Sequence, residues 1–208
     1  MPLAVTDFTR EAQGILRDGS TFEWSTVVLL AFVFYVYSVE VERRRYDIVL
    51  AGLAFWLMDC FNEVVNSLVL HFSDRAALWT VTGDTSYLIL IGLTIEISFL
   101  FAVNGVIFVK FLPAGGSRWP YIIGFSALAV LVEVLLHETG YFHWEYAFWD
   151  VPWGLPLILV FGYATFYWVA AKVYDMGDDR PRQIRWVGTL AVIDAVGILL
   201  FGPVLGWI

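Results

Sequence analysis

Charged residues and cysteine are scarce in this chain of 208 residues, and each scarcity argues against a class of protein. Charged residues make up 15% of the sequence and hydrophobic residues 60%, with a mean hydropathy of +0.73, which is far from an ordinary soluble domain. The single cysteine, Cys60, excludes an intrachain disulfide and a cysteine metal cluster. The net charge of −8 argues against a nucleic-acid partner and against a polybasic contact with anionic lipid.

Long apolar runs are abundant, and most are near the roughly 20 residues that a helix needs to cross a bilayer. Backbone groups in lipid must pair internally, so these runs predict an all-α polytopic transmembrane helix bundle with about six spans. We expect residues 1–208 to form a single transmembrane helical domain. Residues 1–20 lack a signal-peptide h-region, and residues 1–22 are expected to be an extramembrane segment with a short surface helix. The predicted spans are 24–41, 48–70, 87–111, 121–136, 154–173 and 187–208.

Basic residues fall in alternate connections between these spans, and this pattern orients the chain because Lys and Arg are retained on the cytoplasmic side. Both termini and the connections 71–84 and 137–153 are therefore predicted to be extracytoplasmic. The pattern does not identify the membrane, which we expect to be a bacterial cytoplasmic membrane. Nine of the twelve basic residues lie in the connections predicted to be cytoplasmic: Arg43, Arg44, Arg45, Lys110, Arg118, Lys172, Arg180, Arg182 and Arg185.

Ionisable residues inside the spans are the most informative feature, because a charge at mid-bilayer costs about 2.5–3.5 kcal/mol even on a lenient scale. In the second span Asp59, Glu63 and Asn66 share one helical face, with Trp56 one turn earlier and Asn62 beside it. We expect a polar cavity in the extracytoplasmic half of the bundle to collect these residues. Further members from the other spans are Glu96, Asn104, Glu133, His137 and Asp194.

The segment HETGYFHWEYAFWD, residues 137–150, adds histidine, acidic and aromatic side chains at the extracytoplasmic end of the fourth span. With Trp56 of the second span, its residues Trp144, Tyr146 and Trp149 are candidate walls of the cavity. A structural role is the alternative for the aromatic residues of the segment, which are typical of a belt at the headgroup level. Asn62 and Asn66 have a structural alternative too, because amides commonly join helices in membranes.

The buried acids have no basic residue deep in the spans to neutralise them, since Lys110 and Lys172 lie at the cytoplasmic ends. Burial then favours the protonated carboxyl, which is a Brønsted acid in an apolar, aromatic-lined cavity. The abundant weak base of a membrane is the alkene or epoxide of an isoprenoid. Aromatic faces would hold the resulting carbocation, at about 0.5–2 kcal/mol each, and a second carboxylate would remove a proton or direct water.

Two segments resemble families that perform this kind of chemistry. FNEVVN, with Glu63, together with Asp194 in the last span, resembles the small membrane-bound terpene cyclases of meroterpenoid pathways. The resemblance implies that Glu63 is the acid and Asp194 its partner. ETGYFHWEYAFWDVPWGLPL resembles a segment of carotenoid hydratases, which add water to isoprenoid double bonds. The chain departs from the cyclase pattern by having six recognisable spans rather than seven and by the extra set Glu96, Glu133 and His137.

The sequence therefore predicts a membrane enzyme that protonates an isoprenoid or sterol-like lipid and cyclises, isomerises or hydrates it. Glu63, assisted by Asp59, is the predicted acid, and Asp194, or Glu133 with His137, the predicted base. We expect no cofactor and no metal; the partners are the lipophilic substrate, membrane lipid and, in an oligomer, further copies. One alternative is a transporter, proton-coupled channel or subunit of a complex. Another is a metal-dependent oxidoreductase with Glu63, Glu96, Glu133 and His137 as ligands.

Overall fold

Eight helices form most of the computed structural model, which describes residues 5–83, 86–149 and 151–208. Two π-helical segments continue two of them: the first, Ile158–Tyr163, joins α6 to α7, and the second, Leu200–Val204, follows α8. The helices are α1 Asp7–Ile15, α2 Trp24–Glu42, α3 Tyr46–Ser73, α4 Ile95–Phe111, α5 Trp119–Glu138, α6 Gly154–Leu157, α7 Ala164–Tyr174 and α8 Arg180–Leu199. The short strands are β1 Trp79–Val81, β2 Leu88–Leu90, β3 Leu93–Thr94 and β4 Phe142–Trp144.

Helices long and apolar enough to cross a membrane confirm the prediction of a transmembrane helical bundle. Within the described residues there are five, comprising α2, α3, α5, the continuous run Gly154–Tyr174 and the run Arg180–Val204. The remaining long helix, α4, has 17 residues, which is at the lower end of the range for a span.

Helix α4 nevertheless extends alongside α2 for most of its length. Near their first turns the Thr26 hydroxyl donates a hydrogen bond to Glu96, and near their last turns Lys110 pairs with Glu40 at 2.7 Å. In both pairs the partners are 70 residues apart in sequence, so the distance from the first contact to the second is the same number of residues on α2 as on α4. Helices α2 and α4 are therefore parallel neighbours that cover the same depth.

The beginning of the third span differs from the sequence prediction. Residues 88–94, predicted as helix, instead form the antiparallel strands β2 and β3, and α4 begins at Ile95. The Thr94 hydroxyl caps this helix by accepting a hydrogen bond from the Ile97 amide at 3.2 Å. Gly92 lies between the strands, where a Cβ would come within 2.5 Å of the Trp79 indole. A short apolar run does not by itself distinguish a buried strand from a helix, which explains the error.

Helix α3 is the centre of the bundle and packs against α4, α7 and α8. It approaches α4 closely because two glycines face each other, and a Cβ on Gly105 would lie 2.9 Å from the carbonyl oxygen of Gly52. The aromatic rings of Phe55, Phe108 and Tyr167 fill the space beside this contact, with centroids 4.7 Å apart for each pair that includes Tyr167. This core forms one wall of the site described below.

The two ends of the bundle are chemically different. At one end β1 pairs antiparallel with β4, so the connections 71–84 and 137–153 meet, as predicted for segments on the same side. The segment before α1 bonds there through the Thr6 amide to the Arg75 carbonyl at 3.2 Å, and Trp207 near the C-terminus stacks on His71. Basic residues occupy the opposite end in the pairs Arg45–Glu40, Lys110–Glu40, Arg118–Asp175 and Arg180–Asp47.

Candidate functional site

A cavity of about 640 Å³ lies between α3, α4, α5 and the first π-helical segment. Its size falls within the range of small-molecule sites, which are typically mostly apolar with a few polar groups. Three carboxyl-bearing residues line it: Asp59 and Glu63 from α3 and Glu133 from α5. All three are buried. The sequence thus predicted three acids that share one cavity in the fold, together with its wall residues Asn62, Asn104, Trp144 and Trp149.

Two tryptophans of the β1–β4 ribbon donate hydrogen bonds to two of these acids. The Trp79 indole nitrogen lies 2.8 Å from Glu63 Oε1, and the Trp144 indole nitrogen lies 2.7 Å from Glu133 Oε1. Trp79 and Trp144 are themselves a directly paired position of the two strands. One extramembrane ribbon therefore supplies an N–H donor to a carboxyl on each side of the cavity. Such donors stabilise a carboxylate.

Glu63 and Glu133 are also close enough to interact electrostatically. The Asn66 amide, one turn beyond Glu63, contacts its second oxygen at 3.5 Å, and Tyr163 of the first π-helical segment lies close enough to Glu133 for the two groups to interact. No sequence pattern singles out Tyr163, because a π-helical segment has the same residue types as the helix around it. Segments of this kind occur frequently at functional sites.

Asp59 has a different environment from the two glutamates. Its nearest acidic neighbours are Glu63 on the same helix and Asp194 on α8. Among the described residues, Asp59 Oδ2 and both carboxyl oxygens of Asp194 have no hydrogen-bond partner, although only 5% of Asp194 is exposed. Asp194 lies behind Asp59, outside the cavity lining. Asp59 and Asp194 are therefore two buried acids that influence each other electrostatically, and three of their oxygens have no donor among the described residues.

Deeper in the cavity, the lining combines polar and aromatic groups from α4 and α7. The Asn104 amide donates to the Tyr167 hydroxyl at 2.7 Å, and both residues line the cavity. Phe101 and Phe166 lie beside them with ring centroids 6.2 Å apart, and both also line it. These rings offer the flat π-faces that attract a cation.

Several predicted site residues lie outside the cavity lining. Asn66 connects α3 to the ribbon, because its amide bonds the Trp79 carbonyl at 2.9 Å and the Leu78 amide at 2.7 Å. The Trp56 indole donates to Ser98 at 2.8 Å, and the Tyr146 hydroxyl donates to the Ala76 carbonyl at 3.1 Å. These three residues hold elements together.

Glu96 and His137 are also separated from the cavity. Glu96 lies in the first turn of α4, where the helix dipole favours an acidic side chain. It accepts a hydrogen bond from Thr26 of α2. His137 stacks on Trp144 with ring centroids 4.4 Å apart and interacts with the Phe142 carbonyl oxygen through Nδ1. It packs against the Trp144 indole and interacts electrostatically with Glu133, one turn earlier on α5.

The extramembrane cap consists of α1 and the β1–β4 ribbon. Phe8 stacks on His143 with ring centroids 3.7 Å apart, and His143 Nε2 lies 3.0 Å from the Thr82 hydroxyl. Burial under Phe8 lowers the pKa of His143 below its ordinary value of 6.5. Hydroxyl donors from Thr9 of α1 and Thr80 of β1 meet at Glu145. The cap thus covers the site with a polar but well-bonded layer.

A metal centre has no support from the arrangement of side chains. Within residues 5–83, 86–149 and 151–208, no group of three or more His, Cys, Asp or Glu is placed to hold a metal ion. The four predicted ligands of the oxidoreductase alternative are dispersed, because only Glu63 and Glu133 face the cavity. Asp150, the last residue of the segment 137–150, lies outside the described residues.

The fold and the cavity together define an integral membrane protein with a buried acidic site. The chain belongs to a family described as an uncharacterized membrane protein family, whose model matches residues 6–203. It is 44% identical to an uncharacterized protein of Archaeoglobus fulgidus over 98% of this chain and 99% of that protein. A second uncharacterized protein of Archaeoglobus fulgidus is 38% identical over 25% of this chain and 91% of its own length. No solved structure matches the chain.

Proposed function

We propose that the protein is a membrane enzyme that protonates an isoprenoid or sterol-like lipid and cyclises, isomerises or hydrates it through a carbocation. The observation that carries the proposal is the apolar, aromatic-lined cavity of about 640 Å³, which Asp59, Glu63 and Glu133 also line. Acids in such a cavity have no role in binding an ordinary apolar molecule. They suit a substrate that becomes positively charged during its reaction.

The hydrogen bonds favour different roles for the acids than the sequence did. Glu63 and Glu133 each accept an indole N–H, so they are the better carboxylates. Asp59 has an oxygen without a donor and an acidic neighbour in Asp194, so it is the better proton donor. We therefore propose that Asp59, rather than Glu63, is the acid, and that Asp194 is a positioning residue beside it.

The proposed reaction begins when the Asp59 O–H bond breaks and a C–H bond forms at one carbon of a substrate double bond. The π electrons form that bond, and the other carbon becomes a cation. Glu63 and Glu133 stabilise this charge from either side, together with the rings of Phe101 and Phe166. Loss of a neighbouring proton to Glu63 or Glu133 restores a double bond, and attack by water gives an alcohol.

The transport alternative keeps one supporting observation, which is that acids occur at mid-membrane. Cavity shape favours the enzyme, because the walls are apolar and aromatic and the acids are collected at one point rather than along a path. We also propose six crossings, both termini extracytoplasmic, the cavity in the extracytoplasmic half and a bacterial cytoplasmic membrane as the location. The basic residues at the opposite end of the bundle support this orientation.

Deuterium incorporation tests the reaction whatever the structure of the product. Purified protein in lipid nanodiscs is incubated in D₂O with defined polyprenyl lipids, and carbon-bound deuterium is measured by mass spectrometry after exchange of labile sites. The wild type is expected to add deuterium to one of them. Asp59→Asn and Glu63→Gln are expected to lower the rate by about 10²-fold or more, which is the scale of general acid–base catalysis.

Asp74→Asn is the matched control for the Asp59 variant. Asp74 is exposed at the end of α3 with a positive φ of 52°, a conformation that asparagine also adopts. It should keep the wild-type rate. Full incorporation by folded Asp59→Asn would refute the role of Asp59, and no incorporation by the wild type with any polyprenyl lipid would refute the proposed reaction class.

A further inference from the structure

The cavity continues to the outer surface of the bundle between α4 and α5. Four of its exposed lining residues lie on these two helices: Leu100 and Ile107 on α4, and Leu128 and Val132 on α5. The other exposed lining residues are Phe32 of α2, Val65 of α3 and Phe161 of the first π-helical segment. A residue can both line the cavity and be exposed only at the edge of an opening. Leu128 is 56% exposed and Val132 48%, so both side chains reach the outer surface of the bundle.

Helix packing explains why the opening exists. Helix α4 packs closely with α2, α3 and α7, and α5 packs with α7, the first π-helical segment and β4, but α4 and α5 are not a closely packed pair. Their aromatic contact lies at the basic end, where Phe125 meets Phe108 and Phe111 with ring centroids 5.3 Å and 5.7 Å apart. The two helices are joined there and separate toward the cap.

The medium outside the opening is hydrocarbon, because α5 is one of the membrane-spanning helices and its exposed residues are apolar. The opening itself has only apolar edges, whereas the carboxyls lie inside. Water and small ions would lose hydration on this path. A lipid chain in the bilayer loses nothing, since it passes from one apolar surface to another.

We infer that the opening bounded by Leu100, Ile107, Leu128 and Val132 is a lateral portal through which a membrane lipid enters, with its reacting end at the acids and the rest of its chain in the bilayer. This inference rests on the proposed function for the reaction, but the portal itself depends only on the exposed lining residues. It defines the substrate class as bilayer-resident molecules with a long apolar chain. Water-soluble short prenyl compounds are excluded.

Photocrosslinking tests the portal in the intact protein. The protein is reconstituted in vesicles with a phosphatidylcholine that carries a diazirine at the end of one acyl chain, and adducts are located by peptide mass spectrometry. We expect adducts on interior residues such as Glu63 and Tyr163. Val132→Trp and Leu128→Trp should lower interior labelling about tenfold, because the larger ring at the edge of the opening narrows the path of the lipid chain.

Leu131→Trp is the matched control, since Leu131 adjoins Val132 on α5 and is 53% exposed but does not line the cavity. It should leave interior labelling unchanged. Unchanged interior labelling in folded Val132→Trp and Leu128→Trp would overturn the portal, as would interior labelling by a water-soluble diazirine alone. Portal-dependent labelling in a protein that incorporates no deuterium would support the portal and refute only the proposed reaction.

Discussion

At the scale of single residues, the site depends on side chains that look alike in the sequence but have different roles. Asn62 and Asn66 are one turn apart on α3. Asn62 lines the cavity, whereas Asn66 is fully buried and bonds the backbone of Leu78 and Trp79. Asn66 therefore positions β1, and through it the Trp79 indole that bonds Glu63.

Substitution of the two asparagines by alanine should separate these roles. Asn66→Ala leaves buried backbone groups of β1 without partners, each of which costs about 1–3 kcal/mol. Its free energy of unfolding, measured by titration with SDS in mixed micelles, should fall by at least that amount. Asn62→Ala should change stability by less than about 0.5 kcal/mol, as is usual away from such bonds. Equal effects of the two substitutions would contradict the structural role of Asn66.

At the scale of elements, the cap is a separate layer whose integrity depends on a neutral histidine. His143 lies under Phe8 of α1, and its charged neighbours are His137, Glu145 and Glu11. Its pKa is lowered in the folded cap, so the opened cap binds more protons. The contribution of His143 to cap stability is therefore present above its ordinary pKa of 6.5 and is lost as the pH falls below it.

Hydrogen exchange measured across pH checks this expectation. Protection factors of amides in α1, β1 and β4, corrected for intrinsic exchange, should fall between pH 7.5 and pH 5, while those in α3 remain constant. His143→Gln keeps a hydrogen-bonding group beside Thr82 but cannot gain a charge, so its protection should depend much less on pH. The same decrease in both proteins would show that another group controls the cap.

The sequence predicted the helices and the acids better than the elements that organise them. Apolar runs and the shared face of Asp59 and Glu63 are local patterns, which periodicity reveals. The pairing of Trp79 with Trp144 joins distant segments, so no local pattern predicts that an indole reaches Glu63. The π-helical turn that brings Tyr163 to Glu133 likewise has no composition of its own.

At the scale of the whole molecule, the parallel contact of α2 and α4 supports the six crossings proposed above. Their contacts at Thr26–Glu96 and Glu40–Lys110 require α4 to reach from the cap to the basic end. Thr6 and Trp207 both lie at the cap end. Six crossings with both termini on one side agree with these positions, whereas five crossings would leave α4 short of the other surface.

Labelling of single cysteines in cells tests this topology in a Cys60→Ser background. A membrane-impermeant maleimide should label Gln13→Cys and Asp74→Cys in intact cells. Gly115→Cys and Asp178→Cys, in connections at the basic end, should be labelled only after permeabilisation. Labelling of Gly115→Cys in intact cells would mean that α4 does not cross, and reversal of all four would mean that the orientation is inverted.

The first π-helical segment also fixes how the rest of its span is oriented. The Ala164 amide bonds the Leu159 carbonyl, five residues back, so the segment holds one more residue than an α-helical turn. An extra residue rotates everything after it by about 100° relative to an unbroken helix. Tyr167 and Phe166 face the cavity because of this rotation. The span is therefore intolerant of a change in length, and a family that keeps this cavity must keep its residue count here even where the side chains vary.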